Sequence, residues 1–390
     1  MNRKRPVINK KTAPDTSFCP HIALCSGCEL SSAFEEPLLI KEAQTYFAKK
    51  GISDLKIIKG SPVKWRMRAK LAVQGDFEHP IIGLYEKGTH KALNIPFCAV
   101  HHPKINEAVY HIKEWIRQKK ILPYNEKTGK GELRYIQLTV ERSTQKVQVC
   151  FVLNKKEEAE KKKWLLEPAS FWHSIWLNFN TKKTNTIFGP EWTHINGSPL
   201  ISESLANIQC FFHPAGFMQA NLDLFEALLT SIEEKFPQNQ NVVEFYAGVG
   251  VIGLKVASKS KKVFCCEITE EAKICFGKAK KNLPKTVSEK LFFETGFSEK
   301  RLDLLTNTEI AIVDPPRKGV DLTLLNAFVK TASLKEIFYI SCGFSSFCRD
   351  SDFLIANGWV LKSAEGYLFF PGSNHIEVFA VFTKLSTKET

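Results

Sequence analysis

No stretch of this 390-residue chain carries the roughly 18 consecutive apolar residues that a membrane-crossing helix needs. The N-terminus lacks the apolar core of a secretory signal. No internal repeat or long low-complexity linker is present. These absences exclude a helical membrane protein and place the expected chain in the cytoplasm, with no membrane partner. They also remove the setting for a disulfide framework, so 11 cysteines argue for metal binding or catalysis. Acid is missing where base is dense. Residues 1–14 carry Arg3, Lys4, Arg5, Lys10 and Lys11 and no Asp or Glu, which reads as a disordered basic arm over 1–17.

What is present is a chain long enough for two or three domains, with 44% hydrophobic residues to build their cores. Lys and Arg number 54 against 41 Asp and Glu, a net charge of +13. That excess favours a polyanion as partner, gripped through release of its counterions.

The pattern divides the chain. Residues 18–62 hold a cysteine-rich loop and a helix that runs to about Lys50 from a capping box of Ser32 and Glu35. Residues 63–212 read as mostly antiparallel β, with strands at 68–73 and 81–85, a helix over 104–119, and a hairpin of 135–140 with 146–153. Lys155 to Lys163 reads as a solvated helix face. From 213 to 390 strands and helices alternate, which implies a parallel sheet covered on both faces. The last two strands, 359–369 and 375–383, have no helix between them and are expected as a hairpin at the sheet edge.

Chemistry concentrates in four places. Val242-Val243-Glu244-Phe245-Tyr246-Ala247-Gly248-Val249-Gly250 is an apolar strand entering a glycine turn and then a helix. Glu267 ends the next strand, where a carboxylate can accept both hydroxyls of a ribose. Together these suit an adenosine-containing cofactor, in an order closer to an S-adenosylmethionine fold than to a dinucleotide fold. Cys19, Cys25 and Cys28, with Cys98 beyond, supply four thiolates for zinc or for an iron–sulfur cluster, with Cys150 and Cys210 competing for the fourth place. Asp314 and Cys342 each follow an apolar strand, at the carboxyl ends where open α/β sheets bind ligands, and Glu377 is a charge set among apolar neighbours. Lone cysteines are more often buried and structural. Gln219 and Asn221 precede a helix; Asn221 reads as its N-cap and Gln219 as a polar loop residue.

These motifs together resemble the S-adenosylmethionine-dependent uracil-C5 RNA methyltransferases, over nearly the whole chain from Phe18. Cys19-Pro20-His21 through Cys25-Ser26-Gly27-Cys28 looks like the 4Fe–4S branch that acts on 23S ribosomal RNA. The resemblance implies a Rossmann-like methyltransferase domain with a seven-stranded mixed sheet, behind an α+β RNA-binding domain. It implies Cys342 as nucleophile and Glu377 as base. It implies Gln219, Tyr246, Gly248, Gly250, Glu267 and Asp314 as cofactor-binding, and Cys19, Cys25, Cys28 and Cys98 as ligands of a 4Fe–4S cluster. The expected partner is RNA, with 23S rRNA before tRNA, and no obligate protein partner; a monomer is expected. Only 18 residues precede Cys19, so a shorter member without the N-terminal RNA-binding β-barrel is expected. Arg66, Arg68, Lys70, Arg134 and Lys146 are candidate RNA contacts.

Departures are visible. The family's Ser-Cys-Asn-Pro is Ser341-Cys342-Gly343-Phe344 here, its Asp before the glycine turn is Glu244, its turn Cys is Ala247, and an often polar position is Val251. Arg317 after Pro315-Pro316 speaks against RNA cytosine-C5 methylation and against amino-group methylation. A non-catalytic RNA-folding factor is the remaining rival.

Overall fold

The computed structural model describes residues 19–30, 34–154, 161–182 and 186–385. The basic arm, Ser32 and residues 155–160 lie outside them. The first helix, α1 (Leu38–Lys49), starts later than expected: Glu35 sits in a turn and Pro37 is the N-cap, so the Ser32–Glu35 box does not set the start. A three-residue strand, β1 (Lys56–Ile58), follows.

A six-stranded sheet comes next. It is built from β2 (Arg68–Gly75), β3 (Pro80–Gly83), β4 (Leu133–Val140), β5 (Val147–Leu153), β6 (Trp172–Phe179) and β7 (Glu191–Gly197), in the order β3-β2-β4-β5-β6-β7. The amphipathic helix α2 (Pro103–Lys119) inserts between β3 and β4 in sequence and buries Ile105, Val109, Ile112 and Ile116 in the core. Strand alternation then gives the sheet two characters. Leu71, Ile136, Leu138 and Val149 join the apolar core with α2, while Lys70, Gln137, Cys150 and Trp176 are successive register partners on the other face. The β4–β5 hairpin forms as expected, but β5 pairs with β6 in parallel. The pair β8 (Ile201–Leu205) and β9 (Ile208–Phe212) completes this part.

The second sheet has its helices interleaved: α3 (Leu222–Lys235), β10 (Asn241–Phe245), α4 (Val251–Val256), β11 (Lys262–Glu267), α5 (Glu270–Lys281), α6 (Lys285–Ser288), β12 (Leu291–Thr295), β13 (Ile310–Val313), α7 (Leu322–Lys330), β14 (Glu336–Ser341), α8 (Phe344–Ala356), β15 (Trp359–Tyr367) and β16 (Glu377–Lys384). Asn221 is the α3 N-cap, its side chain accepting from Leu224 N at 3.3 Å. The strand order is β1-β15-β16-β14-β13-β10-β11-β12. An eighth strand thus joins the seven expected. β1 pairs in parallel with β15, so the final hairpin forms but does not make the sheet edge.

Both faces are covered, and alternate residues of each strand feed different cores. Ile310, Ile312, Phe338 and Ile340 pack in one cluster; Ala311, Val313, Ile337 and Tyr339 pack in the other, with Ala43 and Phe47 of α1 and Phe347 of α8.

Candidate active site

The topology explains why distant residues meet. β13 and β14 are parallel neighbours, so Asp314 and Cys342 both emerge at their carboxyl ends. β16 runs antiparallel to β14, with Ser341 opposite Val378, so Glu377 at the start of β16 falls beside Cys342. One thiol and two carboxyls are therefore gathered from three adjacent strand ends.

Burial dominates their electrostatics. Glu377 is 4% exposed, and its carboxyl is pushed well above the usual range by burial and by Asp314, with Arg317 opposing. Burial alone raises Asp314 to about 7. The Cys342 thiol is pushed up to about 11 by burial, with Glu377 and Asp314 adding and Arg317 opposing. Its Sγ donates to Pro315 O at 3.8 Å. Arg317 thus favours the charged forms of both the thiol and the Glu377 carboxyl.

The Pro315–Val320 loop that carries Arg317 is pinned by α8. The Ser346 hydroxyl lies 2.8 Å from the carbonyl oxygens of Arg317 and Gly343. Arg349 Nη2 donates to Lys318 O at 2.8 Å. Buried Asp350 accepts from Val320 N at 2.8 Å, from Tyr339 Oη at 2.7 Å and from Arg349 Nε at 2.9 Å. A Cβ on Gly343 would meet Arg317 O at 2.6 Å and Ser346 Oγ at 2.7 Å. The Ser-Cys-Gly-Phe departure thus has a physical reason: the loop presses onto the turn where the family carries a side chain.

Beside this lies the glycine turn. Tyr246 takes φ +58°, a left-handed conformation costly for a bulky residue. Its N–H donates to Ser298 Oγ at 3.3 Å, and its hydroxyl accepts from Asp321 N at 3.3 Å. Gly250 takes φ +75°, and a Cβ there would stand 2.6 Å from the Phe276 ring. Gly248 N donates to Glu267 Oε2 at 3.1 Å, which fixes the carboxylate at the end of β11. Gln219, Tyr246, Gly248 and Asp314 line one pocket. The buried Gln219 Oε1 has no hydrogen-bond partner among the described residues, as expected of a group that meets a polar ligand. Gln219, which spacing alone makes an ordinary loop residue, is therefore a pocket wall. Glu244 lines the same pocket and also braces the turn: it accepts from Gly253 N at 2.8 Å and Cys265 Sγ at 3.3 Å, and burial raises it to about 8, with smaller contributions from Asp314 and Glu267.

A separate cavity of about 400 Å³ is lined by Cys19, Cys25, Cys28 and Cys98, and reaches Arg66, Lys70, Arg317 and His375. Burial chiefly, and then the neighbouring thiols, push Cys28 up to about 12. Cys150 and Cys210 do not line this cavity and are fully buried within β5 and β9. Among the described residues no three His, Cys, Asp or Glu side chains close on a single ion as they stand. The expected RNA contacts divide. Arg68 and Arg134 are buried and spent on carbonyls, Arg68 on Pro214 and Gly216, Arg134 on Asn180 and Lys182. Arg66 lies over Trp65 at 4.6 Å, while Lys70 is exposed. Sequence reasoning misses Arg317, Ser298, Ser346 and His375 as site residues; the strand-end turn before Arg317 is the available signal.

Residues 38–385 match the family described as tRNA (uracil-5-)-methyltransferase. The chain belongs to that family. An RNA methyltransferase of Protochlamydia amoebophila is 44% identical over 376 residues, covering 94% of this chain and 97% of that one. Another, of Geobacter sulfurreducens, is 27% identical over 384 residues, covering 94% and 77%. The fold of this uracil-C5 methyltransferase family member is similar to that of the Pyrococcus abyssi tRNA (uracil-54, C5)-methyltransferase in complex with S-adenosyl-L-homocysteine. That match has a TM-score of 0.72 and 24% identity, and covers 87% of this chain and 81% of the other. The protein is thus an RNA methyltransferase of the uracil-C5 family, on a Rossmann-like methyltransferase fold.

Proposed function

We propose that this enzyme transfers a methyl group from S-adenosylmethionine to C5 of one uridine in 23S rRNA. The observation that carries the chemistry is the placing of Cys342 beside Glu377 across the β14–β16 pair. Uracil C5 is a poor nucleophile. Attack of the Cys342 thiolate at C6 pushes the electron pair onto O4 as an enolate. C5 then takes the methyl group from the sulfonium, releasing S-adenosylhomocysteine. The Glu377 carboxylate removes the C5 proton, and the thiolate leaves as the C5–C6 double bond re-forms. Arg317 supports both anions, and the target base must leave its stack to reach Cys342. Gln219, Tyr246, Gly248, Gly250, Glu267 and Asp314 hold the methyl donor in this reading. The unpartnered Gln219 Oε1 fits a polar ligand, and the fixed Glu267 carboxylate fits a ribose.

Cys19, Cys25, Cys28 and Cys98 would hold a 4Fe–4S cluster, which supplies a cross-link between chain segments. No step of methyl transfer needs an electron. The choice of 23S rRNA rests on the cysteine quartet's likeness to the ribosomal branch. The family description names tRNA, which is the second reading.

The test is adduct formation with RNA containing 5-fluorouridine, where fluorine cannot leave as a proton and elimination stalls. Wild type should form the adduct, Cys342→Ala should form neither adduct nor 5-methyluridine, and Glu377→Gln should trap methylated adduct on ordinary uridine RNA. Normal turnover by Cys342→Ala would end the covalent mechanism. Mapping 5-methyluridine in rRNA and tRNA from cells with and without the gene decides between the two substrates.

A further inference from the structure

The face of the six-stranded sheet turned away from α2 carries an aromatic strip that methyl transfer does not use. In register, Trp176 of β6 stands opposite His194 of β7, and Asn178 opposite Trp192. The Trp176 ring lies 4.9 Å from His194 and 4.6 Å from His213; His213 lies 5.8 Å from Trp192, and Trp192 lies 4.9 Å from Phe188. Phe188 and Trp192 are half-exposed on the last strand of the sheet and the loop before it. The Lys70 ammonium stands 4.7 Å from the centre of the Phe188 ring. Trp176 Nε1 and His194 Nε2 are buried with no hydrogen-bond partner among the described residues. The half-exposed rings of Phe188 and Trp192, with the Lys70 ammonium beside them, put flat apolar faces and a cation at one place on the surface.

The strip joins the catalytic region. Lys70 also lines the cavity that reaches Arg317 and His375, next to Glu377. His213 opens the loop that leads to Gln219 in the cofactor pocket.

We propose that Phe188 and Trp192 form a stacking platform for unpaired bases of the substrate RNA beside the flipped uridine, with Lys70 holding the phosphate between platform and site. This rests on the reading that the substrate is RNA. Every base offers a ring face, so aromatic side chains bind single strands with little sequence preference, and a cation beside them tracks the backbone. The net charge of +13 suits the same partner.

The experiment measures the Kd of a short fluorescein-labelled single-stranded RNA, its salt dependence, and the KM and kcat on total RNA. Trp192→Ala and Phe188→Ala should each weaken binding about 5- to 150-fold, the range for losing one stacked base. KM for RNA should rise while kcat at saturation holds. Trp192→Phe, which keeps a ring, should retain most of the affinity. Lys70→Gln should flatten the slope of log affinity against log salt by about 0.7, and Trp192→Ala should leave that slope unchanged. Unchanged S-adenosylmethionine affinity reports that each variant is folded. RNA carrying 4-thiouridine should crosslink to the peptide spanning 186–197. Wild-type affinity in the Phe188→Ala, Trp192→Ala double variant overturns the platform, as does a loss in Trp192→Phe equal to that in Trp192→Ala. A wild-type enzyme that neither binds nor methylates RNA overturns the substrate reading instead.

Discussion

Arg317 faces two groups whose charged forms it favours, and this can be read in the titration of one of them. Burial, with Glu377 and Asp314, holds the Cys342 thiol at about 11, and Arg317 pulls the other way. Removing the cation moves the thiol's midpoint to still higher pH. At any pH below it the thiolate fraction then falls, tenfold for every pH unit by which the midpoint rises. Arg317→Gln should therefore alkylate more slowly with iodoacetamide at Cys342 at pH 8, followed on its own peptide by mass spectrometry, and its rate–pH curve should move to higher pH. Coincident curves would remove Arg317 from the thiol's environment. Cys342, Asp314 and Glu377 are legible as candidates in the sequence because each adjoins an apolar strand, and strand ends are where α/β sheets expose chemistry. Arg317 and Ser346 are not, because their importance depends on how one turn folds against another. Glu244 is legible as part of the strand that enters the glycine turn, yet its bonds to Gly253 N and Cys265 need the packing of α4 on the sheet.

At the scale of elements, the N-terminal turn of α8 and the Pro315–Val320 loop act as one unit. Gly343 takes φ −130°, which any residue adopts, so the need for glycine there is steric. A Cβ would stand 2.6 Å from the backbone oxygen of Arg317, and backbone yields less readily than a side-chain tip. Gly343→Ala should push the loop away, at a cost of about 1–3 kcal/mol for the forced fit. We expect kcat to fall by about tenfold or more with S-adenosylmethionine affinity intact; kcat equal to wild type would show that the loop tolerates displacement. The alternating strands and helices of 213–390 are readable because period and apolarity agree throughout. β1 is not: it is three residues long and its partner β15 lies some 300 residues away. The parallel β5–β6 pairing is also hidden, since the strands alone do not reveal how the chain between them crosses.

Across the whole molecule, the cysteine segment stitches the two sheets together close to Glu377. On one side Ser26 N donates to Tyr85 O at 3.1 Å and Lys87 N to Leu24 O at 2.9 Å. On the other, Glu29 N and Leu30 N donate to Gly372 O at 2.8 and 2.9 Å, and in the first turn of α1 Leu39 N donates to Asn374 Oδ1 at 3.2 Å. Residues 372–374 lead directly into His375, Ile376 and Glu377. A cluster held by Cys19, Cys25, Cys28 and Cys98 would lock this segment, so its loss should reach the Glu377 carboxyl through the Gly372 contacts, without any electron transfer. Anaerobically purified wild type should carry about four irons. Cys98→Ser should lose them, and Cys150→Ser, altered at a buried thiol away from the cavity, should keep them. In Cys98→Ser, hydrogen exchange should rise over residues 370–376 and kcat should fall, while S-adenosylmethionine affinity should hold, since the site proposed for it at the glycine turn and Glu267 lies apart from the cysteine segment. Stoichiometric zinc in place of iron in the wild type would overturn the cluster. Iron loss with unchanged exchange at 370–376 would show that the contacts to Gly372 stand without it, leaving the cysteine segment to act on RNA docking alone.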